Sequence, residues 1–302
     1  MRRGRPTALL LALLCLLSGG CATLNGTGSS EPGLPNPGTA IALSVLSESI
    51  YLVDPATGRR AEVVGGLQDF RSGYATWAAD HRQLAYANHA IYLVDFDTSQ
   101  QRVVVKGRNL SMPAWNPTGD EIVYGDGVSM WRTPMPAAAS IRLRIPTTLA
   151  PLDMDWARNG LIAFEGLVRD CRRSPHCSST DRSEIWVFDP NGGAMRQITH
   201  VGHVESPKWS PDGSRILFIR RQKANAARRE LWVVNADGSG ARKLSSAENV
   251  VAADWSADGF RLAMVRVAEK AHTLQLWIAD EDGSNSRAVG QPVKGTEATV
   301  DW

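Results

Sequence analysis

The densest chemistry in the sequence is a basic run, Arg220-Arg221-Gln222-Lys223-Ala224-Asn225-Ala226-Ala227-Arg228-Arg229-Glu230, with five basic residues and one acid. The planar guanidinium of arginine suits carboxylate and phosphate partners, so Arg220, Arg221, Lys223, Arg228 and Arg229 are candidates for holding a partner. The plainer alternative is a solvated loop whose charges aid solubility. A second run, Glu165 to Ser183, adds Arg172 and Arg173 as candidates, although its four arginines stand against Glu165, Asp170 and Asp181. It also contains Cys171, His176 and Cys177, whose spacing fits no standard zinc pattern. Asp155, Asp254 and Asp301 each precede a tryptophan and are expected to satisfy backbone donors or pair with Lys or Arg rather than bind a cation. His200 and His203 lie close together, in what reads as a surface loop. There is no His-Glu-x-x-His, no Gly-x-Ser-x-Gly and no phosphate-binding glycine loop. No catalytic residue, metal ligand or cofactor is therefore expected.

These residues sit in a chain organised by repetition. A tryptophan ends an alternating run at Trp77, Trp115, Trp156, Trp209, Trp255 and Trp302. The residue two before it is apolar or small and the residue one before it is mostly polar, which is the two-residue period of a strand. Turn residues follow, clearest in Ser210-Pro211-Asp212-Gly213 and Ser256-Ala257-Asp258-Gly259 and poorest in Ala78-Ala79-Asp80-His81, which lacks glycine. A second series of aromatics flanked by apolar residues runs through Tyr51, Tyr92, Trp131, Trp186, Trp232 and Trp277, most followed by a hairpin signal such as Asp237-Gly238. Each unit then reads as four antiparallel strands, the blade of a β-propeller.

The chain starts inside a unit and stops on a first strand, Ala298-Thr299-Val300-Asp301-Trp302. That strand is expected to complete the N-terminal blade and remove the exposed sheet edge. The expectation is an all-β, six-bladed β-propeller of four-stranded antiparallel blades over 39–302. Its blades run 39–66 with 297–302, 67–107, 108–147, 148–200, 201–247 and 248–293. The loops between second and third strands and the loops between blades would share one face of the disc, placing both charged runs there.

Ser206-Pro207-Lys208-Trp209-Ser210-Pro211-Asp212-Gly213-Ser214-Arg215-Ile216-Leu217-Phe218, followed by Leu231-Trp232-Val233-Val234-Asn235 and Asp237-Gly238, resembles the TolB-type propeller repeat. The resemblance covers about 39–302, strongest in blades five and six. TolB itself carries an α/β domain before its propeller, and this chain has a polar tether there, so the resemblance extends to the propeller part only and does not carry over a role in the Tol–Pal system.

Met1-Arg2-Arg3-Gly4-Arg5 followed by the apolar stretch Leu9 to Leu17 reads as a secretory leader over 1–20, too short to span a bilayer. Ser18-Gly19-Gly20-Cys21 resembles the bacterial lipobox, which implies acylation of Cys21; Leu17 stands one position earlier than the pattern prefers. Residues 21–38 are rich in Gly, Pro and Ser and read as a lipidated cysteine with a flexible tether. In an exported protein Cys171 and Cys177 are most simply a disulfide, whose small loop implies about 2 kcal/mol of stabilisation. Loss of the leader removes three positive charges and no negative one, turning +2 into −1, so nucleic acid is not an expected partner.

The expected function is a non-enzymatic, lipid-anchored binding platform of the cell envelope, presenting loops to an envelope protein, a peptide or an acidic polymer. Its expected location is the periplasmic face of the outer membrane in a Gram-negative cell and the outer face of the cytoplasmic membrane otherwise. The alternative is a propeller lyase or hydrolase acting on a polysaccharide or peptide at the central opening. A plain, apolar channel would remove that alternative, whereas an axis lined with Asp, Glu or His would keep it.

Overall fold

A computed structural model describes residues 34–67, 72–136, 138–170, 178–221, 228–268 and 271–302. Within them the chain is all-β apart from one 3-10 turn, Pro37–Thr39. Among the described residues no helix is long and apolar enough to cross a membrane.

The first sheet contains β1 (Ile41–Val45), β2 (Ser49–Val53) and β3 (Arg60–Val64). Next come β4 (Gly73–Trp77), β5 (Gln83–Asp95), β6 (Gln100–Trp115), β7 (Glu121–Gly125), β8 (Met130–Pro134) and β9 (Ile141–Leu143), hydrogen-bonded in that order as one six-stranded sheet. Three four-stranded sheets follow: β10 (Leu149–Trp156) to β11 (Ile162–Asp170), β12 (Ser178–Phe188) and β13 (Met195–Gln197); β14 (Val204–Trp209) to β15 (Arg215–Arg221), β16 (Arg229–Asn235) and β17 (Arg242–Glu248); and β18 (Val250–Trp255) to β19 (Arg261–Ala268), β20 (Thr273–Asp280) and β21 (Arg287–Lys294). The last strand, β22 (Ala298–Asp301), pairs antiparallel with β1, Ala42 opposite Asp301 and Val45 opposite Ala298. The C-terminal strand thus completes the N-terminal blade, as the sequence order requires.

The six-stranded sheet departs from the expected boundary at 107/108. β6 does not break there: Gln100–Val105 pairs with β5, and Ser111–Trp115 pairs with β7. β5 in turn doubles back at His89, which has φ 61°; Phe96 N–H reaches Arg82 O at 3.0 Å, and the Tyr86 and Tyr92 rings stack 5.1 Å apart. The sheet therefore holds the strands expected of blades two and three, joined without a gap. The described strands therefore form four four-stranded sheets and one six-stranded sheet in place of the six separate blades expected.

The buried apolar residues fall into six clusters, each shared by two successive blades. One joins Val265, Leu276 and Val289 of the last sheet to Ile41, Leu43 and Val300 of the first, closing the ring. Each fully buried Leu, Ile or Val contributes about 1.5–3 kcal/mol, so the core lies between blades rather than within any one of them.

The turns after the tryptophans set one face of the disc, here the turn face. In the best copy the Ser210 hydroxyl bonds the Asp212 carboxylate and accepts Arg215 N–H at 3.0 Å, and Gly213 adopts φ 69°. Ser256, Asp258 and Gly259 repeat the arrangement. In the turn without glycine His81 takes the left-handed conformation itself, φ 55°, its ring stacked on Trp77 at 5.2 Å and its Nδ1 3.3 Å from Pro37 O. Arg59, in the β2–β3 connection of the same face, donates to Leu34 O at 3.3 Å. Residues 34–39 therefore lie along the turn face. The loop face, opposite, carries the second-to-third and inter-blade connections.

Candidate functional site

The first strands of the blades line the axis, and in most of them the alternation is broken. Three residues before Trp77, Trp115, Trp156 and Trp209 stand Tyr74, Met112, Asp153 and Ser206, all with positive φ (45°, 56°, 27° and 54°) and all at a register shift. Such β-bulges re-aim side chains. These four residues line both a waist of about 50 Å³ and the cavity above it on the loop face. Above the waist lies that loop-face cavity, about 640 Å³; below it lies a turn-face cavity of about 560 Å³.

The turn-face cavity is ringed by the tryptophan series, with Asp155, Asp254 and Asp301 among its walls. Each carboxylate accepts the backbone N–H of a tryptophan in the next blade: Asp155 from Trp209 at 2.6 Å, Asp254 from Trp302 at 3.1 Å and Asp301 from Trp77 at 2.7 Å. Lys208, at the same repeat position, donates to Asp301 at 2.6 Å and to Asp254 at 3.4 Å. Burial raises Asp155, and it pushes Asp254 up to about 8 against the pull of Lys208. Burial also works against the charge of Lys208, but Asp254, Asp301 and Asp155 outweigh it and hold the ammonium well above its ordinary value. The repeated aspartates are thus inter-blade ties, satisfying both the backbone donors and the lysine that the sequence points to.

The loop-face cavity has a different character. Glu48, Asp153, Glu165, Glu205 and Glu297 line it, with Arg221, Arg229 and Tyr74. Arg221 and Arg229 face each other across the β15–β16 hairpin. Arg221 pairs with Glu205, and Arg229 Nε lies 3.5 Å from the same carboxylate. Arg229 also grips Glu297 with two N–H groups at 2.9 and 2.6 Å. The geometry of that second pair is bidentate, the strong arrangement for arginine and carboxylate.

Among the described residues Asp153 and Glu165 have no basic partner of this kind. Asp153 accepts from the Ser206 hydroxyl at 2.9 Å, and burial, ahead of the nearby Glu205, pushes it up to about 6. Glu165 is 7% exposed; burial, then Asp153 and Glu205, raise it well above the usual carboxylate range, and Arg221 offsets only part of this. Burial and the same carboxylates also raise Tyr74.

The candidates named from the sequence are distributed unevenly over this geometry. Arg221 and Arg229 reach the cavity but are engaged by Glu205 and Glu297. Arg220 lies over the Trp232 ring, 4.9 Å from its centroid, and Arg228 is exposed. Lys223, Arg172, Arg173 and the cysteines Cys171 and Cys177 fall outside the described residues, as does Cys21. His200 sits beside the Gln197 amide at 3.0 Å, and neither it nor His203 is among the residues lining the waist or the two cavities along the axis. Glu184, 1% exposed, accepts from Thr199, Val201 and Gly202 and so shapes the loop that carries both histidines. Among the described residues no three His, Cys, Asp or Glu side chains are placed to hold a metal ion.

No family model and no curated protein matches the sequence. Solved structures do match in fold. A structure assigned as TolB from Agrobacterium tumefaciens aligns over 85% of this chain and 91% of its own, at 16% identity and a TM-score of 0.61. A chain of a nidogen/laminin complex aligns over 87% of this chain and 97% of its own, at 11% identity and a TM-score of 0.65. An oligogalacturonate lyase in complex with manganese aligns over 72% of this chain and 64% of its own, at 17% identity and a TM-score of 0.55. At such identities the likeness is one of fold, and the propeller fold serves many unrelated functions.

Proposed function

We propose that the protein is a non-enzymatic binding platform of the bacterial cell envelope, anchored through lipid on Cys21, whose loop face docks an envelope protein or peptide. The observation that carries this reading is the open loop-face cavity of about 640 Å³, lined by charged side chains and bordered by the Arg220–Arg229 hairpin. Loops on a rigid scaffold are where binding residues concentrate. An acidic polymer is the less favoured partner, because two of the five basic residues, Arg221 and Arg229, are already paired with Glu205 and Glu297.

Two experiments test the reading. Cys21→Ala should move the protein from the membrane fraction to the soluble envelope fraction; a variant that still sediments with membranes removes the lipid anchor. Pull-down from envelope extract should recover a partner with the intact chain and markedly less with Arg220→Gln combined with Arg228→Gln. Undiminished capture removes the hairpin from the docking surface. Those two residues are chosen because Glu205 and Glu297 are paired with Arg221 and Arg229 instead.

The second reading, a lyase or hydrolase acting at the central opening, keeps its place because the axis is not plain: Asp153, Glu165, Glu205 and Tyr74 converge on it. The fold likeness to oligogalacturonate lyases gives a first substrate to try. Release of unsaturated uronate from polygalacturonate, abolished by Asp153→Asn, would replace the platform reading with this one.

A further inference from the structure

The charges around the loop-face cavity do not balance. From β15 and β16 come two cations, Arg221 and Arg229. From β10, β11 and β14 come Asp153, Glu165 and Glu205, and the flanking connections add Glu48 and Glu297. Both arginines are spent on Glu205 and Glu297. Asp153 and Glu165 are bonded by serines rather than by cations: Ser206 serves Asp153 and Ser183 serves Glu165, with Lys208 and Arg221 acting on them only through their charge. A serine hydroxyl has a single proton to give. Ser183 also gives to Val204 O at 2.6 Å, so an ionised Glu165, 7% exposed, has only that shared hydroxyl and the more distant charge of Arg221 to offset it. A buried carboxylate without a counter-ion is costly, and it either keeps its proton or gains a cation.

We propose that the loop-face cavity binds one organic cation, an ammonium or guanidinium group at the end of a chain or side chain, held by Asp153 and Glu165 beside Tyr74. This rests on the platform reading and names the chemistry its partner presents: a peptide whose terminal amine, lysine or arginine enters the axis. An organic cation suits the site better than a metal ion, since these carboxyls are not placed as a metal-ligand set. Tyr74 offers an aromatic wall of the kind that attracts such groups. The bulges at Tyr74 and Asp153 bring both side chains to the floor, just above the waist that would stop a longer group from passing.

Binding has a signature that general electrostatic attraction lacks. With the free site, Asp153 titrates at about 6 and Glu165 above the usual range. A bound cation stabilises the ionised forms, so association near pH 6.5 should release protons to the buffer.

The test is calorimetry on the full chain with three small probes. Acetylated Gly-Gly-Arg amide carries only a guanidinium, Gly-Gly-Gly amide with a free terminus carries only an ammonium, and acetylated Gly-Gly-Gly amide carries neither. Either or both charged probes should bind and the neutral one should not, and which of them binds separates a side chain from a chain terminus. The observed heat should change between buffers of different ionisation enthalpy in the direction of proton release. Asp153→Asn and Glu165→Gln should each weaken binding about tenfold or more, while Glu281→Gln, on the turn face, leaves it unchanged. Equal binding of the neutral probe, no binding of either charged probe, or binding without proton release overturns the proposal. The proton count needs no variant, so it stands even if a substitution impairs folding. Failure here leaves the pull-down free to succeed by another surface.

Discussion

A chain ending at Thr296, with residues 297–302 deleted, is expected to lose cooperative unfolding at ordinary temperature. β22 supplies the inner strand of the first blade, and without it every residue of β1, all buried in the intact ring, faces an open edge. Val300 and Ala298 leave the cluster that joins first and last sheets. Trp77 N–H loses Asp301, and Asp254 loses Trp302 N–H. Val300 alone accounts for about 2 kcal/mol and the severed Lys208–Asp301 pair for about 3–5 kcal/mol. Against a typical domain stability of about 5–15 kcal/mol, the combined loss leaves little or nothing. Asp301→Ala isolates the polar part and should cost about 3–5 kcal/mol. A truncated chain with an unchanged melting temperature would contradict strand closure.

The second large effect is expected from Lys208→Met. The lysine lies among Asp155, Asp254 and Asp301 and donates directly to two of them. Removing one partner of a buried ion pair costs about 3–5 kcal/mol, because the others stay buried and uncompensated. The loss should depend on pH. Asp254 sits at about 8 and Asp155 is also raised, so the folded protein binds protons that the unfolded chain, with ordinary aspartates near 3.8, has released. Stability contributed by these protons is fully present only below the unfolded value near 3.8 and is lost progressively as pH rises from there through the folded values. The intact protein should therefore melt higher at about pH 5.5 than at about pH 8.5. Lys208→Met removes the interaction that favours the ionised aspartates, so its melting temperature should fall more steeply over the same range. Equal slopes for the two proteins would show that Lys208 does not set the ionisation of the ring. The exposed turn carboxylates act in the opposite sense: hydrogen bonds to Ser210 and Ser214 lower Asp212 to about 2, and that contribution is lost only in strong acid.

How much of this was legible in the sequence depends on repetition. Trp209 and Asp212 announce a blade because five other tryptophans sit in equivalent places, and periodic burial leaves a periodic trace. Asp155, Asp254 and Asp301 were readable as backbone and lysine partners for the same reason. The cavity floor left no such trace. Asp153 occupies a bulge, where the two-residue period slips and face can no longer be inferred by alternation. Glu165, Glu205 and Glu297 come from a second strand, a first strand and an inter-blade loop, so they share no repeat position. One faint signal existed: Tyr74, Met112, Asp153 and Ser206, each three before a tryptophan, are dissimilar where the neighbouring positions are uniform. The basic hairpin, by contrast, was conspicuous in composition, yet two of its arginines are occupied inside the molecule. Charge counted along a chain does not reveal which charges already have partners.

The path of residues 34–39 along the turn face fixes an orientation. Under the proposed anchorage at Cys21, thirteen residues separate the lipid from Leu34, a leash of at most about 45 Å when fully extended. The disc would then hang with its tryptophan turns toward the bilayer and its acidic mouth pointing away, into the space beyond. A second molecule rooted in the same leaflet would have to reach around the rim to enter that mouth, whereas one rooted in an opposing layer would meet it head-on. Under that anchorage, the side of the disc on which the leash is attached would select partners by where they stand, before any side chain is touched.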